Sequence, residues 1–389
     1  MVSFFGRQLT IVATQIQIFQ LTGSSLQVGL LSLAQLGPVI ACSFFGGALA
    51  DAVDRRKLLI AANVSMMLTS VGLAANAMAG VGLVWPIYVC TALSAGLSSI
   101  DSPTRSAAVA MLVRREQIPA ATALNQTGYQ LGQVAGPAFA GVVIAAASLA
   151  AAYWIDVVTF VVALVLLLRM GAMTPEGGGT RLGLGSIREG IRYLRGQRAV
   201  QGTFLIDIDA MVFGMPRALF PQLGTELYHG GPGIVGLLYA APAAGALVGA
   251  VTTGWVSRVR HQGRAVLWAV VVWGAAIAAF GVARWLPLGL FFLAVAGGAD
   301  VISAVFRGTI LQLQVPDRLR GRLNALNIAV VTGGPRLGDV EAGAVAAATT
   351  ATISVISGGL LCIGGVALLA RTRPELAQWR PPDSVDEIT

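Results

Sequence analysis

Apolar runs of about twenty residues recur from one end of this 389-residue chain to the other. A helix rising about 1.5 Å per residue needs about that many to cross roughly 30 Å of hydrocarbon. In lipid an open strand edge or a loop leaves backbone polar groups unsatisfied, so runs of this length are helices. The chain is 56% hydrophobic and 11% charged, whereas soluble domains carry about a quarter charged residues. Together these features define an all-α polytopic membrane protein.

Charged or Gly/Pro-rich breaks separate twelve expected spans: 2–19, 28–50, 58–79, 84–102, 122–146, 150–168, 200–220, 233–254, 265–283, 286–306, 324–344 and 350–370. The first begins almost at Met1, contains Arg7, Gln8, Gln15 and Gln17, and lacks the pattern of a signal peptide. It is expected to be an incomplete, polar-lined first helix. Alternate loops and the tail after 370 hold 22 of the 26 Lys and Arg, while the opposite loops hold only Arg284. Basic loops stay in the cytoplasm, so both termini are expected there. Trp85, Trp154, Trp255 and Trp285 fall at expected interfaces, as aromatic anchors do.

The net charge of +8 does not indicate nucleic acid, because the basic residues sit in short loops on one side. Cys42, Cys90 and Cys362 fall in apolar runs without metal or redox spacing and read as small buried hydrophobes. His229 and His261 are isolated in loops, so no metal site is expected. The lone lysine, Lys57, cannot complete a P-loop, and no catalytic constellation occurs. Neither an enzyme nor a bound cofactor is expected.

The longest loop divides the chain into an N-terminal bundle (1–168), a linker (169–199), a C-terminal bundle (200–370) and a cytoplasmic tail (371–389). Within the linker, Gly-rich 174–185 reads as flexible. The segment 186–198 sets Ile187, Ile191 and Leu194 on one helical face and Arg188, Arg192 and Arg195 on another. That pattern suits an amphipathic helix on the inner membrane surface.

The halves repeat one another. Ala123–Asn125 recurs at Ala325–Asn327, and at the same offset Arg105, Gly132, Gly136 and Gly141 match Arg307, Gly334, Gly338 and Gly343. Val28–Leu31 also recurs as Val235–Leu238. Such a repeat implies two similar six-helix bundles about a pseudo-two-fold axis, with a substrate path between them.

Two motifs carry a family resemblance. Five of the seven residues from Asp51 to Lys57 are charged, and the stretch reads Gly47-x-Leu49-Ala50-Asp51-x-x-x-Arg55-Arg56-Lys57. It resembles the signature of the major facilitator superfamily between its second and third helices. Asp54 replaces the usual glycine and Ala52 the usual basic residue. Gly132-x-x-x-Gly136-Pro137-x-x-x-Gly141 in the fifth span resembles the superfamily's antiporter motif, with Ala140 where it usually has glycine. Asp101–Arg105 and the 333–339 run are most similar to the branch of siderophore exporters and drug-efflux permeases. The resemblance implies the major facilitator fold. It also implies a conformational latch of Gly47, Asp51, Arg55 and Arg105, with the alternative that the charges only orient the helices.

Ionisable residues within spans are the default functional candidates. Asp207 and Asp209, two positions apart, cannot face the same way, and either one could carry a proton. Asp156 and Asp300 are further proton-coupling candidates, Asp300 lying seven residues from Arg307. Arg336 and Asp339 have the spacing of an intrahelical pair. With Arg7, Gln15, Gln17 and Arg217 they are the cavity candidates.

The expected function is a monomeric inner-membrane secondary transporter. It would exchange a drug-like compound or siderophore for protons by alternating access. An importer of a small metabolite and a non-transporting protein of the same fold remain alternatives.

Overall fold

The computed structural model describes residues 2–171, 173 and 192–381, excluding the side chains of residues 44–52, 110, 257, 317 and 318. Ile187, Arg188 and Ile191 of the expected linker helix lie outside the described residues.

Helices occupy every expected span. They are α1 (Val2–Thr22), α2 (Ser25–Ala52), α3 (Arg55–Ala79), α4 (Trp85–Leu112), α5 (Ile118–Ala146) and α6 (Leu149–Leu168). After the linker come α7 (Arg198–Phe213), α8 (Pro232–Val251), α9 (Gln262–Val282), α10 (Leu286–Gln314), α11 (Asp317–Ala348) and α12 (Ala351–Thr372). Among the described residues, eight of these are long and apolar enough to cross a membrane: α2, α3, α5, α6, α8, α9, α10 and α12. The other four carry much of the polar inventory. Arg7 and four glutamines lie on α1, Asp101 and Arg105 on α4, Asp207 and Asp209 on α7, and Arg336 and Asp339 on α11.

The seventh span is broken where the sequence turns to Gly214-Met215-Pro216. It resumes as a 3-10 turn (Arg217–Leu219), one α turn (Phe220–Gln222) and a π turn (Leu223–Leu227). Proline cannot donate to a helical ladder, and backbone groups freed in a membrane need protein partners. Trp273 Nε1 of α9 donates to Gly214 O at 2.9 Å, and Ala218 N donates to Asp339 Oδ1 of α11 at 3.1 Å. Asp339 thus serves the break in α7.

The chain forms two compact units: Met1–Arg181 with Phe220–Ala240, and Leu182–Leu219 with Ala241–Thr389. In the first, α1 packs on α5 and α6, α3 on α4 and α6, and α2 on α4. In the second, α7 packs on α11 and α12, and α9 on α10 and α12. The second half of α8 approaches α10 where Gly245 meets the Ala294 backbone and Gly249 meets Gly298, leaving no room for a side chain. The same helix pairs therefore recur in both units.

Capping repeats as well. Ser148 accepts from Ala151 N at 3.1 Å to start α6, and Thr350 accepts from Ile353 N at 3.1 Å to start α12. The two caps are 202 residues apart, the offset of the sequence repeat. A hydroxyl at this position satisfies one of the free N–H groups of a helix start.

Tyr153, Phe280 and Phe306 fill the unit interiors, while Trp268, Leu360 and Leu368 point outward. Helices that are apolar on all sides, with large outward hydrophobes, suit a lipid solvent. The described end of the linker, residues 192–196, is helical. Its Tyr193 and Leu194 pack with Val315, Leu319 and Leu323, and Arg192 and Arg195 stay exposed. Protein therefore covers this part of the apolar face. The tail adds a short helix, Pro374–Gln378, whose Leu376 is buried against Gly202 and Gly263.

Candidate functional site: two intramembrane polar networks

The first unit gathers polar side chains along α1. Asp156 of α6 is fully buried. Its Oδ2 accepts from Thr10 Oγ1 of α1 at 2.6 Å and from Ser70 Oγ of α3 at 2.8 Å. Thr159 Oγ1, one turn on, approaches Oδ1 at 3.4 Å. Gly6 permits this, because a Cβ there would collide with Thr159 and Asp156. Among the described residues Asp156 has no ion-pair partner. The site is a carboxyl group held by hydroxyls from three helices.

The rest of α1 is tied in residue by residue. Arg7 Nη1 donates to Ser98 Oγ of α4 at 2.6 Å, and Gln8 Nε2 to Gln133 Oε1 of α5 at 2.5 Å. Tyr153 OH donates to Gln17 Oε1 at 2.6 Å, and Tyr239 OH to Gln15 Oε1. Arg7, Gln8, Thr10, Gln15 and Gln17 thus spend the polarity of α1 in interhelical hydrogen bonds, for which the membrane offers no water alternative.

The antiporter-like motif brings three helices together in this unit. Gly132 lies under the Phe4 ring and Gly136 against Gln8, both on α1. Gly141 meets Gly233 and Gly236 at the start of α8, and the Pro137 carbonyl faces Gly236.

The second unit is built on charge. Arg307 of α10 pairs with Asp207 of α7, and both are buried. Asp300, two turns earlier on α10, lies 3.9 Å from Arg307. Asp207 and Asp300 therefore share one cation. Asp209 points elsewhere, against Gly365 of α12, where a Cβ would strike its carboxylate. Arg336 Nη1 turns back to Thr332 O on its own helix, while Asp339 takes the Ala218 N–H. Arg217 is exposed just after the break in α7.

Gly47 and Asp51 lie outside the described side chains. Arg105 is held by Asp101, one turn earlier, at 3.0 Å. Asn63 Nδ2 of α3 also donates to Asp101 Oδ1, at 3.1 Å. Arg55 N donates to Met173 O at 3.0 Å. Arg56 caps α6, donating to Leu167 O at 3.0 Å and Leu168 O at 2.6 Å, where the negative end of a helix attracts a cation. Asp54 caps α3 by accepting from Arg56 N at 2.8 Å and Met173 N at 3.1 Å. Desolvation opposes its charge, but these backbone donors prevail and hold its carboxyl below the usual carboxylate range. This explains an aspartate where the motif usually has glycine: it staples the start of α3 to the chain leaving α6.

Sequence reasoning missed Asp101, Asn63, Thr10 and Ser70. The i,i+4 spacing of Asp101 and Arg105 was a usable signal. Thr10 and Ser70 gave none, since hydroxyls of this kind also bond their own helix.

The family described as transmembrane secretion effector matches residues 1–386. The chain is 30% identical to the enterobactin exporter EntS of Citrobacter koseri over 378 residues, covering 97% of this chain and 90% of that protein. It is 29% identical to the enterobactin exporter EntS of Shigella boydii over 373 residues, covering 95% and 89%. In fold it is similar to the nucleoside transporter NupG, with a TM-score of 0.73 at 12% identity over 97% of this chain and 98% of that one. It is also similar to a bacterial homologue of the human lysosomal transporter Spinster, with a TM-score of 0.73 at 14% identity over 98% of each chain. A bacterial homologue of the iron transporter ferroportin gives 0.66 at 16% identity, over 97% of this chain and 98% of that one. The agreement spans both units and every helix, and the chain belongs to the transmembrane secretion effector family of the major facilitator superfamily, a family of multi-pass membrane transporters.

Proposed function

We propose that this chain is a proton-coupled exporter of siderophore-like or drug-like amphipathic compounds. It acts as a monomer in the inner membrane, with both termini cytoplasmic, by alternating access. The observation that carries the reading is the likeness to an enterobactin exporter, 30% identical along 97% of this chain. The one-sided distribution of Lys and Arg supports the orientation.

The two networks support a division of labour among the four candidate carboxylates. Asp207 and Asp300 share Arg307, so either losing its charge disturbs an ion-pair network. The hydrogen bonds to the Asp156 carboxyl all come from hydroxyls, with no cation within ion-pair distance among the described residues. A hydroxyl donates to a carboxylate and accepts from a carboxylic acid, so the same cage holds Asp156 with or without a proton. Asp156 is the proton carrier in this reading, and its link to Thr10 makes α1 the helix that senses it.

Direction is tested in cells lacking their own siderophore exporters. Expression of this chain should lower intracellular enterobactin and raise it in the medium, and a proton-gradient uncoupler should reverse both. Unchanged secretion on expression contradicts export of this class. Secretion insensitive to the uncoupler contradicts proton coupling.

A further inference from the structure

In the second unit the tail folds back onto the loop between α8 and α9. Leu376 is buried against Gly202 and Gly263, and Trp379 is buried beside it. A Cβ at Gly263 would strike the Leu376 carbonyl, so this docking needs a glycine there. Gly263 N donates to Trp379 O at 3.4 Å, and Glu375 pairs with Arg198 at 3.0 Å. These contacts deliver Arg380 to a distant part of the sequence.

That part is basic. Arg258, Arg260 and Arg264 are exposed around His261, and so is Arg380. The charge of Arg380, with desolvation and the charges of Arg264 and Arg260, holds the His261 imidazole below its ordinary range. The cations therefore converge on one spot. Among the described residues no carboxylate lies within ion-pair distance of these four arginines. Arg56, Arg105 and Arg198 are by contrast committed to the α6 carbonyls, Asp101 and Glu375. Arg264 also stands in the first turn of α9, where the helix dipole opposes a cation.

The surroundings place the cluster against lipid. Trp255, just before it, is 44% exposed, and an outward tryptophan marks the headgroup level. Arg264, Trp268 and Val272 follow one another at four-residue spacing on α9, which puts them on one helical face. Trp268 and Val272 are exposed there, so an apolar track runs into the membrane from the arginines.

We propose that Arg258, Arg260, Arg264 and Arg380 form a binding site for the phosphodiester of an anionic phospholipid. Their guanidinium groups take the phosphate oxygens in charge-assisted pairs, and the docked tail supplies one of the four. The acyl chains lie along Trp268 and Val272. The site is independent of cargo and of proton coupling.

The test is equilibrium binding of phosphatidylglycerol with a fluorescent acyl chain to the full chain in neutral detergent. Phosphatidylcholine with the same acyl chain keeps the phosphate but has no net charge, and inorganic phosphate keeps the anion without the lipid. Phosphatidylglycerol should bind about tenfold more tightly than phosphatidylcholine. Arg260→Gln and Arg380→Gln, at exposed positions, should each weaken phosphatidylglycerol about fivefold and leave phosphatidylcholine unchanged. Arg115→Gln removes an exposed cation from the first unit and should change phosphatidylglycerol binding less than about twofold. Wild-type affinity in either Arg260→Gln or Arg380→Gln overturns the site. An equal loss in Arg115→Gln also overturns it, by showing attraction to net charge alone. Displacement of phosphatidylglycerol by millimolar inorganic phosphate would assign the cluster to a free anion and overturn the lipid site.

Discussion

The same helix does different electrostatic work in the two units. Arg105 on α4 and Arg307 on α10 occupy one register of the sequence repeat. Four residues earlier, α4 has Asp101 and α10 has Ser303. In the first unit the arginine finds its acid on its own helix, and a second buried acid of that unit, Asp156, takes its hydrogen bonds from hydroxyls. In the second unit Ser303 offers no charge, Asp300 of the same helix stays 3.9 Å away, and Arg307 reaches across to Asp207 on α7. A local pair leaves the contacts between helices to hydrogen bonds rather than ion pairs among the described residues. A pair across helices makes the contact itself depend on charge. The residue four positions before the arginine is where the two sequences differ, aspartate in one unit and serine in the other.

The largest effect should follow from breaking the second arrangement. Asp207→Leu leaves Arg307 buried with a more distant acid, and removal of one partner of a buried pair costs about 3–5 kcal/mol. Thermal unfolding of the purified protein in detergent measures it. Replacing both Asp207 and Arg307 by leucine should recover most of that loss, because no charge is then stranded. A double variant as unstable as Asp207→Leu would show that packing, not charge, holds α7 to α10.

Converting the second unit to the first arrangement gives an intermediate effect. Ser303→Asp supplies the missing acid four residues before Arg307. Added to Asp207→Leu, it should restore about 1.5 kcal/mol through a charge-assisted contact. No recovery would mean that register alone does not determine the pairing.

The smallest effect belongs to the first unit's pair. The Arg105 side chain is 29% exposed, so water replaces part of what Asp101 supplies. Asp101→Asn should cost no more than about 1 kcal/mol in the same unfolding assay. A loss equal to that of Asp207→Leu would erase the distinction between the units.

Much of the architecture was legible before any coordinates. Run length placed a helix at every expected span, because the bilayer imposes that length on the sequence. The shared register of Arg105 and Arg307 and the four matched glycines carried the repeat, and the recurring Ser148 and Thr350 caps and helix pairs bear it out structurally. The break in α7 was hidden, since Gly214 and Pro216 sit within an otherwise apolar run and only Trp273 and Asp339 show how the backbone is satisfied. The site was legible as a set of residues but not as a set of partners. Spacing separated Asp207 from Asp209, and the structure turns them towards Arg307 and α12 respectively. Spacing alone cannot choose between partners on other helices, because that depends on how each helix is rotated in its bundle. Thr10 lies 146 residues from Asp156 in sequence, and no local pattern links them.

The proton-carrier role of Asp156 is tested most directly in everted membrane vesicles with an imposed pH gradient, acid inside. Wild-type vesicles should accumulate enterobactin against its gradient. Asp156→Asn, which keeps a neutral hydrogen-bonding group in the Thr10 and Ser70 cage, should abolish that accumulation and leave cargo exchange at equal concentrations intact. Gradient-driven accumulation in Asp156→Asn equal to wild type would contradict the account.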